Sequence, residues 1–362
     1  MKKIKVVIFL YSLGGGGVQK FLINLLKKID LDKFEISLAL VNNRGVYLTE
    51  VPNEIKIIDL KAKRVHFSLF PLVRYINQER PDILFSIDTS INIIGILAKI
   101  LSKRKPKIII RQAVEINDLS TNKTKLFLAK IFYPKADKCI VLTHTMKNRL
   151  VTNLRVPNQL IEVIYNSIDI NDILFKRAEE VESSFKELAT PKIISVGRLT
   201  SQKNHLMLIE AFKLVLEETH ATLIIIGEGE DKEKINSKIK DLNLENQVIM
   251  LGYHSNPYKY LFNSDIFVLA SVYEGLSNAL LEALACEIPI ITTDNPDNII
   301  SHNVNGFKAN IQKEDIAKKI KVLLKNENTR ERMISNNKNY MYKFDVVNMV
   351  NSYEKSFMDT ID

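Results

Sequence analysis

The chain has no tryptophan, two cysteines among 362 residues, and no CxxC or HExxH pattern. Cys139 and Cys286 stand far apart in apolar surroundings, which excludes a disulfide scaffold and fits a reducing cytoplasm. The missing motifs leave no structural or proteolytic zinc site to expect. Long hydrophobic runs are lacking as well. The longest, residues 91–101, contains Asn92 and Lys99, whereas a bilayer-spanning helix needs about 20 apolar residues. Low-complexity tracts and solenoid periods are also missing. The opening MKKIKVVIFLYSL has the look of a signal peptide, but Lys5 interrupts it and four glycines stand where a cleavage site belongs. It reads as a first buried strand.

Hydrophobic residues make up 46% of the chain, too many for a disordered polypeptide. Single cores stop growing near about 250–300 residues, so two domains are expected. The net charge of +9 hides an asymmetry: residues 1–170 hold 28 Lys+Arg against 14 Asp+Glu, and residues 171–362 hold 23 against 28. Cations cluster at Lys61, Lys63 and Arg64, at Lys103, Arg104, Lys105 and Lys107, and among apolar residues in 123–138. Such a surface attracts anionic lipid or nucleic acid, or simply keeps the protein soluble. No helix-turn-helix, RNP or finger pattern supports nucleic acid.

Short apolar runs alternate with amphipathic stretches throughout. In the first half they lie at 4–10, 36–41, 55–58, 83–85, 108–110 and 139–142, and in the second at 193–196, 222–226, 248–251, 266–269 and 288–291. Helical periodicity fills most gaps, as at 18–29, 91–101, 206–216, 232–242 and 279–284. This alternation predicts an α/β chain of two doubly wound, Rossmann-like parallel-sheet domains, 1–170 and 171–340. The boundary falls between Ile164 and Pro191, where 165–172 is turn-prone and 176–187 is charged with little core signal. The end, 329–358, reads as one or two helices with apolar Val346, Val347, Val350 and Phe357.

Several residue groups carry chemistry. The glycines at 14–17 follow the first strand and precede a helix, so their backbone can approach a phosphate or a sugar; a tight turn alone is the alternative. A dinucleotide fingerprint would place an acid at the end of the next strand. Asn42-Asn43 stands there instead, which disfavours NAD and a Rossmann oxidoreductase. Gly197 and Arg198 end the first strand of the second domain, and Lys203 lies just beyond. Two cations at a parallel sheet's carboxyl end suit a diphosphate. Glu274 precedes a helix capped by Ser277 or Asn278, and Glu282 lies about one turn inside it. Both carboxylates can reach one cleft, although an early helical Glu also merely complements the dipole. Gly227-Glu228-Gly229 reads as a turn. Gly252-Tyr253-His254 follows a strand where a base can lie. Asp30-Leu31-Asp32 is literally a DxD, but it sits in a helix-to-strand turn and reads as solvated.

Taken in order, GGVQ at 16–19, YNSID at 165–169, SVGRLTSQKN, IIGEGED, VIMLGY and EGLSNALLEALACEIPII resemble family 4 glycosyltransferases, retaining enzymes of the GT-B fold. The last motif matches that family's E-x7-E signature with both glutamates present. The resemblance implies a nucleotide diphosphate sugar as donor, UDP favoured, with no metal and no cofactor. It implies a glycan or lipid-linked saccharide acceptor on the first domain, a cleft between the domains, and a C-terminal helix, 341–362, returning to the first domain. It makes Arg198 and Lys203 the diphosphate cations, Glu274 the contact to the donor sugar, and Glu282 the ribose holder. Gly16 and Gly17 would approach the phosphate, Tyr253 and His254 would flank the base, and Leu276, Ser277 and Asn278 would line the pocket with Gly197. Many members have a His after a middle strand of the first domain. Here Arg111 stands there and is expected to face the cleft, with Glu115 or His144 near the acceptor. The resemblance places the protein at the inner face of the cell membrane, attached peripherally. A GT-B epimerase and a non-catalytic sugar-nucleotide binder remain alternatives.

Overall fold

The computed structural model describes residues 3–14, 16–113, 123–188, 190–293 and 296–361. Its contacts divide the chain into two units, Met1–Ser167 with Val346–Asp362, and Ile168–Asp345.

Seven strands build the first unit: β1 Ile4–Leu10, β2 Phe34–Leu40, β3 Lys56–Asp59, β4 Ile83–Ile87, β5 Lys107–Gln112, β6 Lys138–Val141 and β7 Ile161–Val163. They lie in the order β3-β2-β1-β4-β5-β6-β7, and every pairing is parallel. Covered on both faces, the central strands must be apolar throughout, and Val6 to Leu10 and Ile83 to Phe85 are accordingly buried. The strand order reverses beside β1. Right-handed crossovers therefore put helix Gly17–Lys28 on one face and helices Leu69–Glu79, Thr89–Leu101, Lys123–Phe132 and His144–Leu154 on the other.

Helix Val346–Ile361 closes the first face. Its Tyr353 ring lies 5.2 Å from Phe21, and Phe357 lies 5.9 Å from Phe34 and 5.5 Å from Phe85. Val346, Val350 and Phe357 are buried there, whereas Val347 is exposed.

The second unit holds β8 Lys192–Val196, β9 Thr222–Ile226, β10 Val248–Gly252, β11 Ile266–Leu269, β12 Ile290–Thr292 and β13 Phe307–Lys308. They run in the order β10-β9-β8-β11-β12-β13, again all parallel. Strands β7 and β13 escape the sequence reading because three and two residues carry no measurable alternation. The segment 176–187 also differs from expectation. Val181 and Phe185 are buried, and the Phe185 ring stands 5.2 Å from Tyr260, so two scattered apolar residues anchor a charged stretch.

The loops after β8, β9 and β10 touch backbone to backbone. The Gly197 amide donates to Ile226 O (3.0 Å), and the Gly227 amide donates to Gly252 O (2.8 Å). Gly227 has φ +149°, and a Cβ there would sit 1.9 Å from the Gly197 carbonyl oxygen. Its glycine is thus a packing requirement rather than a simple turn signal. Gly227→Ala is expected to cost about 2–4 kcal/mol of stability, read by urea unfolding; an unchanged midpoint would show the loops can separate freely.

Candidate functional site

In the second unit, β8 lies beside β11, so the loops that follow them are neighbours. They are bonded together: the Val272 amide donates to Gln202 O (2.8 Å), and Gln202 Nε2 donates to Tyr273 O (2.9 Å). This brings Lys203 Nζ to 2.5 Å from Glu274 Oε1. Both side chains are largely buried, 13% and 8% exposed, so the pair is shielded from the screening that weakens surface ion pairs. The buried Ser271 hydroxyl donates to the same Glu274 oxygen at 2.6 Å, and its own carbonyl accepts from Thr293 Oγ1 at 2.6 Å. Ser271 went unnoticed in the sequence, where a serine three residues before a glutamate carries no signal.

Arg198 is exposed and makes no ion pair among the described residues. Gly197 packs on the Lys203 stem, where a Cβ would meet Cε at 3.3 Å. Helix Asn278–Ala285 follows, with Ser277 at its N-cap in extended backbone. The Ser277 hydroxyl makes no capping bond, contrary to expectation. Leu276 and Ser277 are buried, and Asn278 opens the helix. Glu282, 7% exposed, accepts from Tyr258 Oη at 3.5 Å; Tyr258 too was missed.

After β10, Tyr253 is exposed and His254 is half-buried, with Nδ1 3.3 Å from Tyr260 Oη. Tyr260 Oη in turn donates to Glu182 at 2.8 and 2.9 Å. The Glu182 carboxyl is held down to about 2, first by its own backbone N–H and then by Tyr260. Burial first, then Glu182, pushes the Tyr260 phenol up to about 12.

In the first unit, Gly16 has φ +146° and precedes the helix that Gly17 begins; Gly15 lies outside the described residues. Gly45 underpins this loop. Its φ is +136°, and a Cβ would fall 1.9 Å from the Leu13 carbonyl, while the Leu13 amide donates to Arg44 O (3.0 Å). Arg111, expected to face a cleft, is instead 1% exposed. Its Nε donates to Tyr353 Oη (2.9 Å), its Nη2 donates to Asn166 Oδ1 (2.7 Å), and its guanidinium stacks 3.7 Å from the Phe21 centroid. Tyr353 comes from a helix more than 200 residues away, which no local motif announces. Burial lowers the Arg111 pKa, and Nη1 has no hydrogen-bond partner. His144 opens helix His144–Leu154, 6.5 Å ring to ring from Tyr165; Glu115 lies outside the described residues. Asp30 pairs with Lys33 at 2.8 Å and accepts from the Asp32 amide, as a helix-to-strand turn requires. Among the described residues no group of three or more His, Cys, Asp or Glu is placed to hold a metal ion.

Two parallel, doubly wound sheets are those of the GT-B fold, and the solved structures agree on it. The Anabaena HepE structure with UDP and glucose superposes with a TM-score of 0.84 over 98% of this chain and 100% of its own, at 19% identity. A glycosyltransferase from Rickettsia africae gives 0.85 over the whole of both chains, at 18% identity. "Glycosyltransferase Family 4" matches residues 15–172, and "Glycosyl transferases group 1" matches residues 176–340. The chain is 33% identical over 305 residues to the Campylobacter jejuni N-acetylgalactosamine-N,N'-diacetylbacillosaminyl-diphospho-undecaprenol 4-alpha-N-acetylgalactosaminyltransferase, with 80% of each chain covered. It is 27% identical over 321 residues to the Staphylococcus aureus capsular polysaccharide biosynthesis glycosyltransferase CapM, covering 83% of this chain and 84% of that protein. The chain belongs to the family 4 glycosyltransferases and is a transferase enzyme.

His205 begins the helix after Lys203 and is 2% exposed, with Nδ1 unpartnered. Burial first, then Lys203, holds its imidazole down to about 4 against an ordinary 6.5, with Asp231 opposing. Between those values the unfolded chain binds the extra proton, so stability rises with pH from about 4 to about 6.5 and is flat above. His205→Gln is expected to flatten that slope in thermal melts, and an unaltered slope would assign it to other groups.

Proposed function

We propose that this enzyme transfers a hexose or N-acetylhexosamine, with retention, from a nucleotide diphosphate sugar to a lipid-linked or growing glycan in cell-surface polysaccharide synthesis. The observation that carries the reading is the buried Lys203–Glu274 pair at the carboxyl ends of β8 and β11, with exposed Arg198 in the same loop as Lys203. Breaking the C1–O–P link loads negative charge on the departing diphosphate. Arg198 as a planar fork and Lys203 as a point charge meet that charge, aided by the first turn of helix Asn278–Ala285. No metal is given a role. Glu274, steadied by Ser271, orients the sugar hydroxyls, and Glu282 takes the ribose. Gly197, Leu276, Ser277 and Asn278 line the donor, and Tyr253 and His254 flank the base. Gly16 and Gly17 are assigned to the donor by family resemblance, whereas Arg111 is buried under Tyr353 and is given no donor role.

The acceptor oxygen attacks C1 on the face the diphosphate leaves. The C1–O bond to acceptor forms as the C1–O bond to phosphate breaks, and the acceptor proton passes to a phosphate oxygen. UDP is the favoured carrier, supported by the UDP-bound fold neighbours. A diphospho-undecaprenol-linked acceptor is supported by the name of the Campylobacter relative. Peripheral attachment to the inner membrane face fits the basic first half, and no helix among the described residues is long and apolar enough to cross a membrane.

A panel of UDP-, GDP- and ADP-sugars is expected to show nucleoside diphosphate release with UDP-sugars first. Arg198→Ala and Lys203→Ala should each lower kcat about 10²–10³-fold. Wild-type rates in both variants would refute the site. NMR of the product should show the donor's anomeric configuration, and a trapped covalent sugar on Glu274 would replace the front-face path with a double displacement.

A further inference from the structure

Two helices of the first unit carry an outward stripe that the enzymatic reading does not use. On Leu69–Glu79 and the turn before it, Phe67 and Phe70 are 60% and 76% exposed, and Arg74 follows one turn on. Spacings of three and four put all three on one side. On Lys123–Phe132, Phe127 and Ile131 are 63% and 40% exposed, with Lys123 and Lys130 one turn away on the same side. That helix buries only Ala129 despite its apolar content. Both helices flank Thr89–Leu101 on the same face of the sheet.

The charges distinguish this face from an ordinary soluble surface. Lys61, Lys63, Arg64 and Arg74 beside the first stripe are all exposed, as are Lys123, Lys125 and Lys130 on the second helix. None forms an ion pair among the described residues. In the second unit, by contrast, Lys319, Lys321 and Lys325 are all paired with carboxylates. Large exposed aromatics between unpaired cations match a surface that sinks rings into the acyl boundary and leaves cations among anionic headgroups.

We infer that Phe67, Phe70 and Phe127 form a membrane-inserting face that docks the first unit on an anionic lipid bilayer. The inference deepens the reading of a lipid-linked acceptor and rests on it. The absence of tryptophan supplies the test. Full-length Phe67→Trp, Phe70→Trp and Phe127→Trp each carry a single emitting indole. Mixed with vesicles of equal parts phosphatidylcholine and phosphatidylglycerol, each emission should shift to the blue, and brominated acyl chains should quench most of it. Phe175→Trp, 77% exposed in the second unit, should do neither. Pure phosphatidylcholine should give no shift. Changing Arg64, Lys125 or Lys130 to Glu should lower vesicle partitioning at least about fivefold each. Co-flotation without any indole shift would place binding elsewhere and overturn the inference, as would an equal shift at residue 175 or no flotation. Donor hydrolysis without vesicles, run in parallel, tells failure of this face from failure of the transferase reading.

Discussion

The second unit is organised around one buried ion pair. Lys203 and Glu274 come from loops 71 residues apart, and each would be costly to bury alone. Together, with the Ser271 hydroxyl on the same carboxylate oxygen, they hold the ends of β8 and β11 in fixed relation. The hydrogen bonds between Gln202 and residues 272–273 tighten the same seam. A cation and a carboxylate that already meet are held in one orientation, which under the proposed function would leave little reorganisation for binding a diphosphate.

The close approach of glycine backbones serves the same end. Gly227 against Gly197, and Gly45 against Leu13, let loops from adjacent strands lie in direct contact. A side chain at either glycine would push the neighbouring strand ends of its own unit apart. The first unit spends its buried polar chemistry differently. Arg111 is held by Tyr353, Asn166 and Phe21, so the helix Val346–Ile361 is bound to the middle of the sheet by a guanidinium as well as by rings.

The departures from expectation share a cause. Val181 and Phe185 are isolated apolar residues in a charged stretch, and only the neighbouring Tyr260 makes them core. Ser277 holds the N-cap position that its type predicts, but its hydroxyl does not make the bond, since position and rotamer are separate choices. Arg111 was expected at a cleft by family resemblance; its burial depends on a tyrosine from the other end of the chain.

From residue order alone came the two α/β halves, most strands and the motif-bearing loops at strand ends, together with the expectation that cations there suit a phosphate and glutamates suit sugar hydroxyls. Those properties are local: an apolar run, a glycine after a strand, an acid before a helix. Only the tertiary structure decided that Lys203 touches Glu274, that Ser271 steadies it, that Tyr353 buries Arg111, and that Phe67, Phe70 and Phe127 are left outside. Such contacts follow from strand order and helix packing, which bring distant residues together at distances no one-dimensional pattern encodes.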